Sequence, residues 1–381
     1  MYSHPSFTDP RPHLRRHQPD HGVMYFDPAV LQATAWRFQA GFDGLVTYAV
    51  KANAGAMVLE NLSAAGIAAF DVASPREMEL VRAAAPGAVL HYNNPVRSAR
   101  EVAAGIAAGV VSWSVDTVGE LDKLGQPRFP GEEVAVRLAL PVAGSAYDFG
   151  AKFGCGPEEA VALLRRAAQR GFAPAMTFHP GTQCAEPEAW AAYIRECAAI
   201  AKTADVRLGR LNVGGGFAAH RAGCAPDLEA IFERIATETR AAFGAGAPKL
   251  VCEPGRAMVA ECFTLATRVK SLRADGAVYL NDGIYGALSE LRDIAPTDRV
   301  EVISPEGHSR AGTAQERVVF GPTCDSLDCL PGPVCLPQDL KEGDYVLFRG
   351  MGAYSLAIAT AFNGYGPGEV VTLAVGSSPE A

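Results

Sequence analysis

From residue 46 onward the chain alternates two kinds of segment, and this alternation constrains the fold more than any other feature. Short β-branched or aromatic stretches are each followed by an Ala/Leu/Glu/Arg-rich stretch with helical spacing. The strand-like stretches are VTYAVKAN (46–53), AAFDVAS (68–74), AVLHYNN (88–94), VVSWSVD (110–116), EVAVRLAL (133–140), PAMTFHPG (174–181), RLNVGGGF (210–217) and KLVCEPGR (249–256). Stretches such as PREMELVRAAA (75–85) and PEEAVALLRRAAQR (157–170) lie between them. Strands alternating with helices imply parallel βαβ units. Eight such units in about 210 residues match a closed, TIM-like (β/α)8 barrel, with an open doubly wound sheet as the rival arrangement.

Beyond residue 260 the texture changes. ECFTLATRVKSLR, GAVYLND, DRVEVISP, ERVVFGP and DYVLFRG are strand-like and separated by Gly, Pro and Asp, with few helix signals. The expected class is therefore α/β: a barrel over residues 23–260 and a C-terminal β-domain over 261–381. The segment VMYFDP (23–28) is strand-like and is a candidate to join the β-domain. Residues 1–22, rich in Pro, Arg, Asp and His, read as a disordered tail rather than a metal site.

Composition narrows the function classes. Lys and Arg total 34 against 42 Asp and Glu, a net charge of −8. No basic footprint for nucleic acid is present. No apolar run is long enough to span a bilayer. The N-terminus lacks the apolar core of a secretory signal. The nine cysteines form no C-x-x-C pair, so neither a disulfide framework nor a metal site is suggested, and a cytoplasmic setting is expected.

In a barrel of this kind chemistry sits at the C-terminal strand ends, and polar residues gather there. Lys51 and Asn53 end the first strand, Asp71 and Ser74 the second, Asn93 and Asn94 the third. Arg137 is on the fifth, with His179 and Thr182 after the sixth. Gly214, Gly215 and Gly216 follow the seventh, and Glu253, Gly255 and Arg256 follow the eighth. A lysine leaving an apolar strand into a dry pocket has a lowered pKa that suits Schiff-base chemistry. The alternative is a lysine reaching water from the barrel rim. Three glycines let backbone N–H groups approach an anion, and Arg256 adds a cation suited to phosphate. A plain tight turn also uses glycine. Glu253 beside a pyridine nitrogen would keep it protonated, or would simply pair with Arg256. His179 fits a ring-stacking role or a core histidine. In the β-domain, GPTCDSLDCLPGP (321–333) places Cys324 and Asp325 in a loop of the kind that holds function, although most free cysteines are inert buried thiols.

Taken together these motifs resemble the fold-type-III pyridoxal-phosphate (PLP) decarboxylases acting on ornithine, lysine or diaminopimelate, which share their fold with alanine racemase. YAVKAN (48–53), FDVASPRE (70–77), FHPGTQ (178–183), VGGGF (213–217), EPGR (253–256), NDGIYG (281–286), GPTCDSLD (321–328) and GAYSLAIATAFNGY (352–365) occur in the family's order. The resemblance implies that Lys51 bonds PLP, His179 stacks on its ring and Glu253 bonds the pyridine nitrogen. Thr182, Gly214, Gly215, Gly216, Gly255, Arg256 and Tyr354 would hold the phosphate. Asp71, Glu77 and Arg137 would form the shell around Lys51. It also implies a head-to-tail homodimer with shared active sites. There Cys324 would protonate the α-carbon and Asp325 would meet the substrate's distal amine, with Tyr285 and Asp293 as further substrate contacts. Lys152 and Asp328 would pair across the interface.

Within the family Cys-Asp at 324–325 resembles the ornithine/lysine branch, whereas the diaminopimelate branch has Cys-Glu. The implied reaction is L-ornithine to putrescine and CO2, with L-lysine next. One departure concerns LSELRDIAP (288–296): Asp293 falls one place before the aspartate that many ornithine decarboxylases show, and Ile294 takes that place. A racemase of this fold sets an arginine at the pyridine nitrogen, which Glu253 argues against. A catalytically dead regulatory homologue would have lost Lys51 or the Cys-Asp loop, and both are kept.

Overall fold

The computed structural model describes residues 7–140, 152–294 and 298–374. The chain divides into two compact units. One comprises Thr34–Ala218 and Pro226–Met258, and the other Met1–Ala33, Ala219–Ala225 and Val259–Ala381. The first strand, β1 (Gly22–Phe26), belongs to the second unit.

Eight strands follow in the barrel unit: β2 (Gly44–Ala49), β3 (Ala69–Val72), β4 (Val89–Tyr92), β5 (Val110–Val115), β6 (Glu133–Leu138), β7 (Ala173–Phe178), β8 (Arg210–Asn212) and β9 (Lys249–Cys252). All neighbouring pairs are parallel, and β2 pairs with β9 at Leu45↔Val251, so the sheet closes and the open-sheet rival is excluded. Each strand overlaps a segment expected from the alternation, with β2 starting two residues and β7 one residue earlier than expected. Asp71 and Arg137 lie in the ladder itself, whereas Lys51, His179 and Arg256 follow their strands. Helix starts follow the strand loops directly. Ser74 accepts the Glu77 N–H at 3.2 Å while Glu77 accepts the Ala73 N–H at 2.6 Å. Ser98 and Glu101 form a full capping box. These bonds satisfy donors that a helix start leaves unpaired, and so fix where each strand end stops. At the other end of the barrel, register neighbours His91, Ser112 and Glu133 bring polar groups together; Ser112 donates to Glu133 at 2.7 Å. Burial pushes His91 down to about 3, so it stays neutral.

The second unit continues with β10 (Phe263–Leu272), β11 (Val278–Leu280), β12 (Val300–Ile303), β13 (Ala314–Arg317), β14 (Val319–Phe320), β15 (Val334–Pro337), β16 (Tyr345–Arg349) and β17 (Pro367–Thr372). The main sheet runs β12-β16-β10-β1-β17, with β11 joining β10 and β14, and β13 pairs β15 separately. The segment at 23–28 thus supplies a strand between β10 and β17.

The N-terminal tail departs from its expected disorder. Pro10–His17 is a helix capped by Asp9, which accepts the Arg11 N–H at 2.9 Å. Its Leu14 is 1% exposed and packs with Val23, Tyr25, Ala266, Ile303, Tyr345 and Leu347. His13 Nδ1 meets the Tyr25 hydroxyl at 2.8 Å. Composition missed this because one leucine and one histidine gain their order from the sheet, not from the helix itself. Leu14→Ala should therefore lower stability by about 2–4 kcal/mol, read as a shift in the urea midpoint. An unchanged midpoint would return residues 7–17 to a tail without packing.

Candidate active site

The polar strand ends converge on a cavity of about 220 Å³ in the barrel unit, lined by Lys51, Asp71, Asn93, Arg137, His179 and Glu253 among others. Lys51 stands in a single 3-10 turn, Val50–Ala52, directly after β2. Tyr48 clamps that turn by donating to the Asn53 carbonyl at 2.9 Å. Lys51 itself is exposed, which corrects the expectation of a dry pocket around its amine. Water reaches it through the open cavity.

Two buried carboxylates face it. Glu253 accepts from the amides of Asn93 and Asn212 and shares a hydrogen bond with Asp71. Burial raises the Glu253 carboxyl, offset in part by Asn212, Lys51 and Arg137. Asp71 is raised well above the usual range, first by burial and then by the Glu253 charge. Two like charges this close disfavour double ionisation, which adds to the effect of burial. Arg137 balances the remaining charge, and burial lowers its own pKa. Its guanidinium lies 5.2 Å from the centre of the Phe153 ring. Glu77, besides capping its helix, has its carboxyl raised by burial and drawn down partly by Lys51.

His179 is held neutral, chiefly by burial and then by the positive charges of Lys51 and Arg137. Its Nδ1 accepts the Gly181 N–H at 3.1 Å, which leaves the ring proton on Nε2. The glycine loop after β8 packs against this ring. A Cβ on Gly214, whose φ is +69°, would lie 2.0 Å from the Phe178 carbonyl oxygen. A Cβ on Gly216, at φ +85°, would lie 2.3 Å from the Gly181 carbonyl oxygen. Glycine is required at both by backbone sterics. The loop is stitched in place by Glu253 N–H to Gly214 O at 2.9 Å and Cys184 N–H to Gly216 O at 2.9 Å. Thr182 lies in the turn after β7, and Gly255 and Arg256 follow β9 at the start of a short helix.

The β-domain holds its own cluster. Tyr285 donates to Asp325 Oδ2 at 2.6 Å, and the Leu327 N–H meets Oδ1 at 2.9 Å. These bonds, the tyrosine's first, hold the Asp325 carboxyl below its ordinary value. Cys324 is exposed, which excludes the inert buried thiol. Asp293 ends the short helix Glu290–Asp293 and pairs with Arg292 at 3.1 Å. Tyr354 adopts a left-handed backbone, φ +55°. Asp328 is buried and accepts from Ile284 N–H, Thr323 N–H and Thr323 Oγ1 at 2.7–3.0 Å.

A family model described as the pyridoxal binding domain of pyridoxal-dependent decarboxylases matches residues 29–260. A decarboxylase of Aspergillus flavus is 31% identical over 342 residues, spanning 84% of this chain and 77% of that protein. The lysine/ornithine decarboxylase of Selenomonas ruminantium is 33% identical over 329 residues, spanning 84% and 81%. The chain belongs to the pyridoxal-dependent decarboxylases. The crystal structure of the Paramecium bursaria Chlorella virus arginine decarboxylase superposes with a TM-score of 0.84, covering 95% of this chain and 98% of that one. At 24% identity that likeness is one of fold.

This decarboxylase acts on amino acids with PLP as cofactor. The cavity fits that group. Asp71 Oδ1 and Asn93 Oδ1 are buried without a partner among the described residues, as a site shaped around an absent polar ligand would leave them. The glycine loop presents backbone instead of side chains next to His179 and Glu253, which suits a phosphate. Among the described residues no group of three or more His, Cys, Asp or Glu side chains is arranged to hold a metal, and no helix is long and apolar enough to cross a membrane.

Asn212 was not singled out from sequence, although it holds Glu253 from β8. An asparagine just before a glycine run reads as turn chemistry, which masks that role. Asn93 was noted at its strand end without a role. Phe153 and Thr177, which also line the cavity, give no signal, since apolar and hydroxyl residues are common in any strand or loop.

The raised carboxyls give a pH test. A carboxyl whose folded pKa lies above its unfolded value of about 4.3 binds an extra proton in the folded state. That contribution is complete at low pH and is lost as pH rises through the folded value. In cofactor-free protein, Glu253→Gln should therefore gain stability relative to wild type as pH rises from about 4.3 through the folded pKa, by at most about 1.4 kcal/mol per pH unit. Unfolding midpoints across pH 4–9 measure it. A gap that shrinks with rising pH would show the carboxyl is ionised and satisfied in the folded state.

Proposed function

We propose that the decarboxylase acts on a basic amino acid, L-ornithine first and L-lysine second, giving putrescine from ornithine. The observation that carries this reading is Asp325. Its carboxylate is half-buried, kept ionised and aimed by Tyr285, which is what a distal ammonium needs as its partner. The relatives named for lysine and ornithine decarboxylation support it. Asp293, engaged by Arg292, stands as the secondary carboxylate.

Bound PLP supplies the electron sink that takes the pair released when CO2 leaves. The chain's residues do the rest. Lys51 would hold the cofactor through its amine. Glu253, fixed by Asn93 and Asn212, would hold a proton at the ring nitrogen. Neutral His179 would support the ring. Thr182, the loop of Gly214, Gly215 and Gly216, Gly255, Arg256 and Tyr354 would hold the phosphate. Asp71, Glu77 and Arg137 set the charge around Lys51. Cys324 Sγ–H donates the proton that replaces CO2 at the α-carbon. Its place in the β-domain, far in sequence from Lys51, fits a head-to-tail homodimer in which each site borrows Cys324 and Asp325 from the partner. The free cysteines agree with a cytoplasmic enzyme.

A panel of L-ornithine, L-lysine, L-arginine, diaminopimelate and neutral or acidic amino acids, assayed for CO2 and amine, should rank ornithine first. Preference for a neutral or acidic substrate would sink the proposal. Asp325→Ala should cut kcat/KM on ornithine roughly a hundredfold with PLP still bound, and Asp293→Ala should cost less. For the dimer, Lys51→Ala and Cys324→Ala proteins should each be nearly inactive. Mixed after dissociation they should recover about a quarter of wild-type activity, because half the dimers are mixed and one of their two sites is intact. No recovery despite proven subunit exchange would place the whole site in one chain.

A further inference from the structure

We propose that Asn363 is a positioning residue that holds the Cys324 thiol, so that its proton is delivered from one fixed place. The proposal deepens the functional reading above and rests on Cys324 as the proton donor. Asn363 Oδ1 accepts twice from the same residue: the Cys324 N–H at 3.1 Å and the Cys324 Sγ–H at 3.2 Å. One acceptor thus pins both the backbone and the side chain of the cysteine. Only the protonated thiol can make the second bond, because an amide oxygen cannot donate. The arrangement therefore holds the group in the form and place in which it gives up a proton.

The backbone explains why asparagine is informative here. Asn363 has φ +53°, in the left-handed region. Glycine would fit that backbone at least as well, so what asparagine adds is the amide oxygen. The same short segment grips the neighbouring acid. Thr360 donates its N–H and its hydroxyl to the Tyr285 carbonyl at 2.8 and 3.0 Å. The Phe362 ring lies 5.1 Å from the Tyr285 ring, and Tyr285 in turn holds Asp325. Residues 360–363 thus fix both side chains of the Cys-Asp pair, each through a different contact.

In the step itself the Sγ–H bond breaks as a C–H bond forms at the α-carbon. The new bond uses the electron pair that CO2 left behind, and the thiolate then recovers a proton from water. A thiol released from Asn363 still holds its proton but presents it from many directions. The loss should therefore appear in turnover and in stereochemistry rather than in substrate binding.

Asn363→Gly keeps the left-handed backbone and removes the acceptor, whereas Asn363→Asp keeps an acceptor oxygen. In the full PLP-loaded protein, Asn363→Gly should lower kcat about fivefold, the worth of one net hydrogen bond, with KM unchanged. In D2O the wild-type amine should hold its α-deuteron in one configuration, and Asn363→Gly should give a mixture. Asn363→Asp should restore both. Independently of turnover, iodoacetamide should label Cys324 faster in Asn363→Gly, with exposed Cys224 and Cys335 as internal references. The proposal is overturned if Asn363→Gly keeps wild-type kcat and labelling, or if Asn363→Asp is as impaired as Asn363→Gly. Wild-type turnover by Cys324→Ala would overturn the proton-donor reading itself, whatever Asn363 does, and the labelling comparison would still report whether the thiol is held.

Discussion

The barrel site depends on one arrangement: two buried carboxylates, Asp71 and Glu253, held against each other beside the cationic Lys51 and Arg137. A buried carboxylate without compensation is costly. Here the cost is met by amide donors from Asn93 on the β4 side and Asn212 on β8, and by the nearby charges of Lys51 and Arg137. Each compensating group comes from a different strand, so the pair can form only when the barrel is closed. Closure in turn fixes Lys51, which is anchored by its turn and by Tyr48 rather than by any burial of its own. Charge balance in the cavity and closure of the sheet are thus one constraint seen from two sides.

The glycine loop shows the same coupling in backbone terms. Gly214 and Gly216 lie so near the carbonyls of Phe178 and Gly181 that no side chain fits. That closeness lets Glu253 N–H reach Gly214 O, and so ties the end of β9 to the loop after β8. The acid and the glycine loop are therefore built by the same contacts. A substitution at Gly214 would displace Glu253 as well as the loop.

How far the sequence made this legible follows from which signals are local. The barrel was readable because each strand and helix announces itself by period, cap and polar end, and eight repeats reinforce one another. The five cavity residues Lys51, Asp71, Arg137, His179 and Glu253 were readable because a charged or ring side chain at a strand end stands out. Asn212 was not, since an asparagine before a glycine run reads as turn chemistry. Strands β15 and β17 were missed because VCLP and PGEVVT contain proline and sit on sheet edges, where pairing, not propensity, makes the strand. The helix at Pro10–His17 was missed for the opposite reason, that polar composition outweighed a single leucine whose burial is tertiary. Asp293 was flagged by an offset of one residue, and its pairing with Arg292 shows where a gapless count stops being informative.

The two halves of the proposed chemistry obey different physics. In the barrel, burial is the first cause of the shifts at Asp71, Glu253 and His179. The two carboxyls also act on each other, because their charges meet in a poorly screened space. In the β-domain, half-buried Asp325 and exposed Cys324 lie on a loop, placed by a hydrogen bond from Tyr285 to the aspartate and by bonds from the cysteine to Asn363. The groups in the barrel cavity are thus set mainly by burial and charge balance, and those on the loop by a few directional hydrogen bonds.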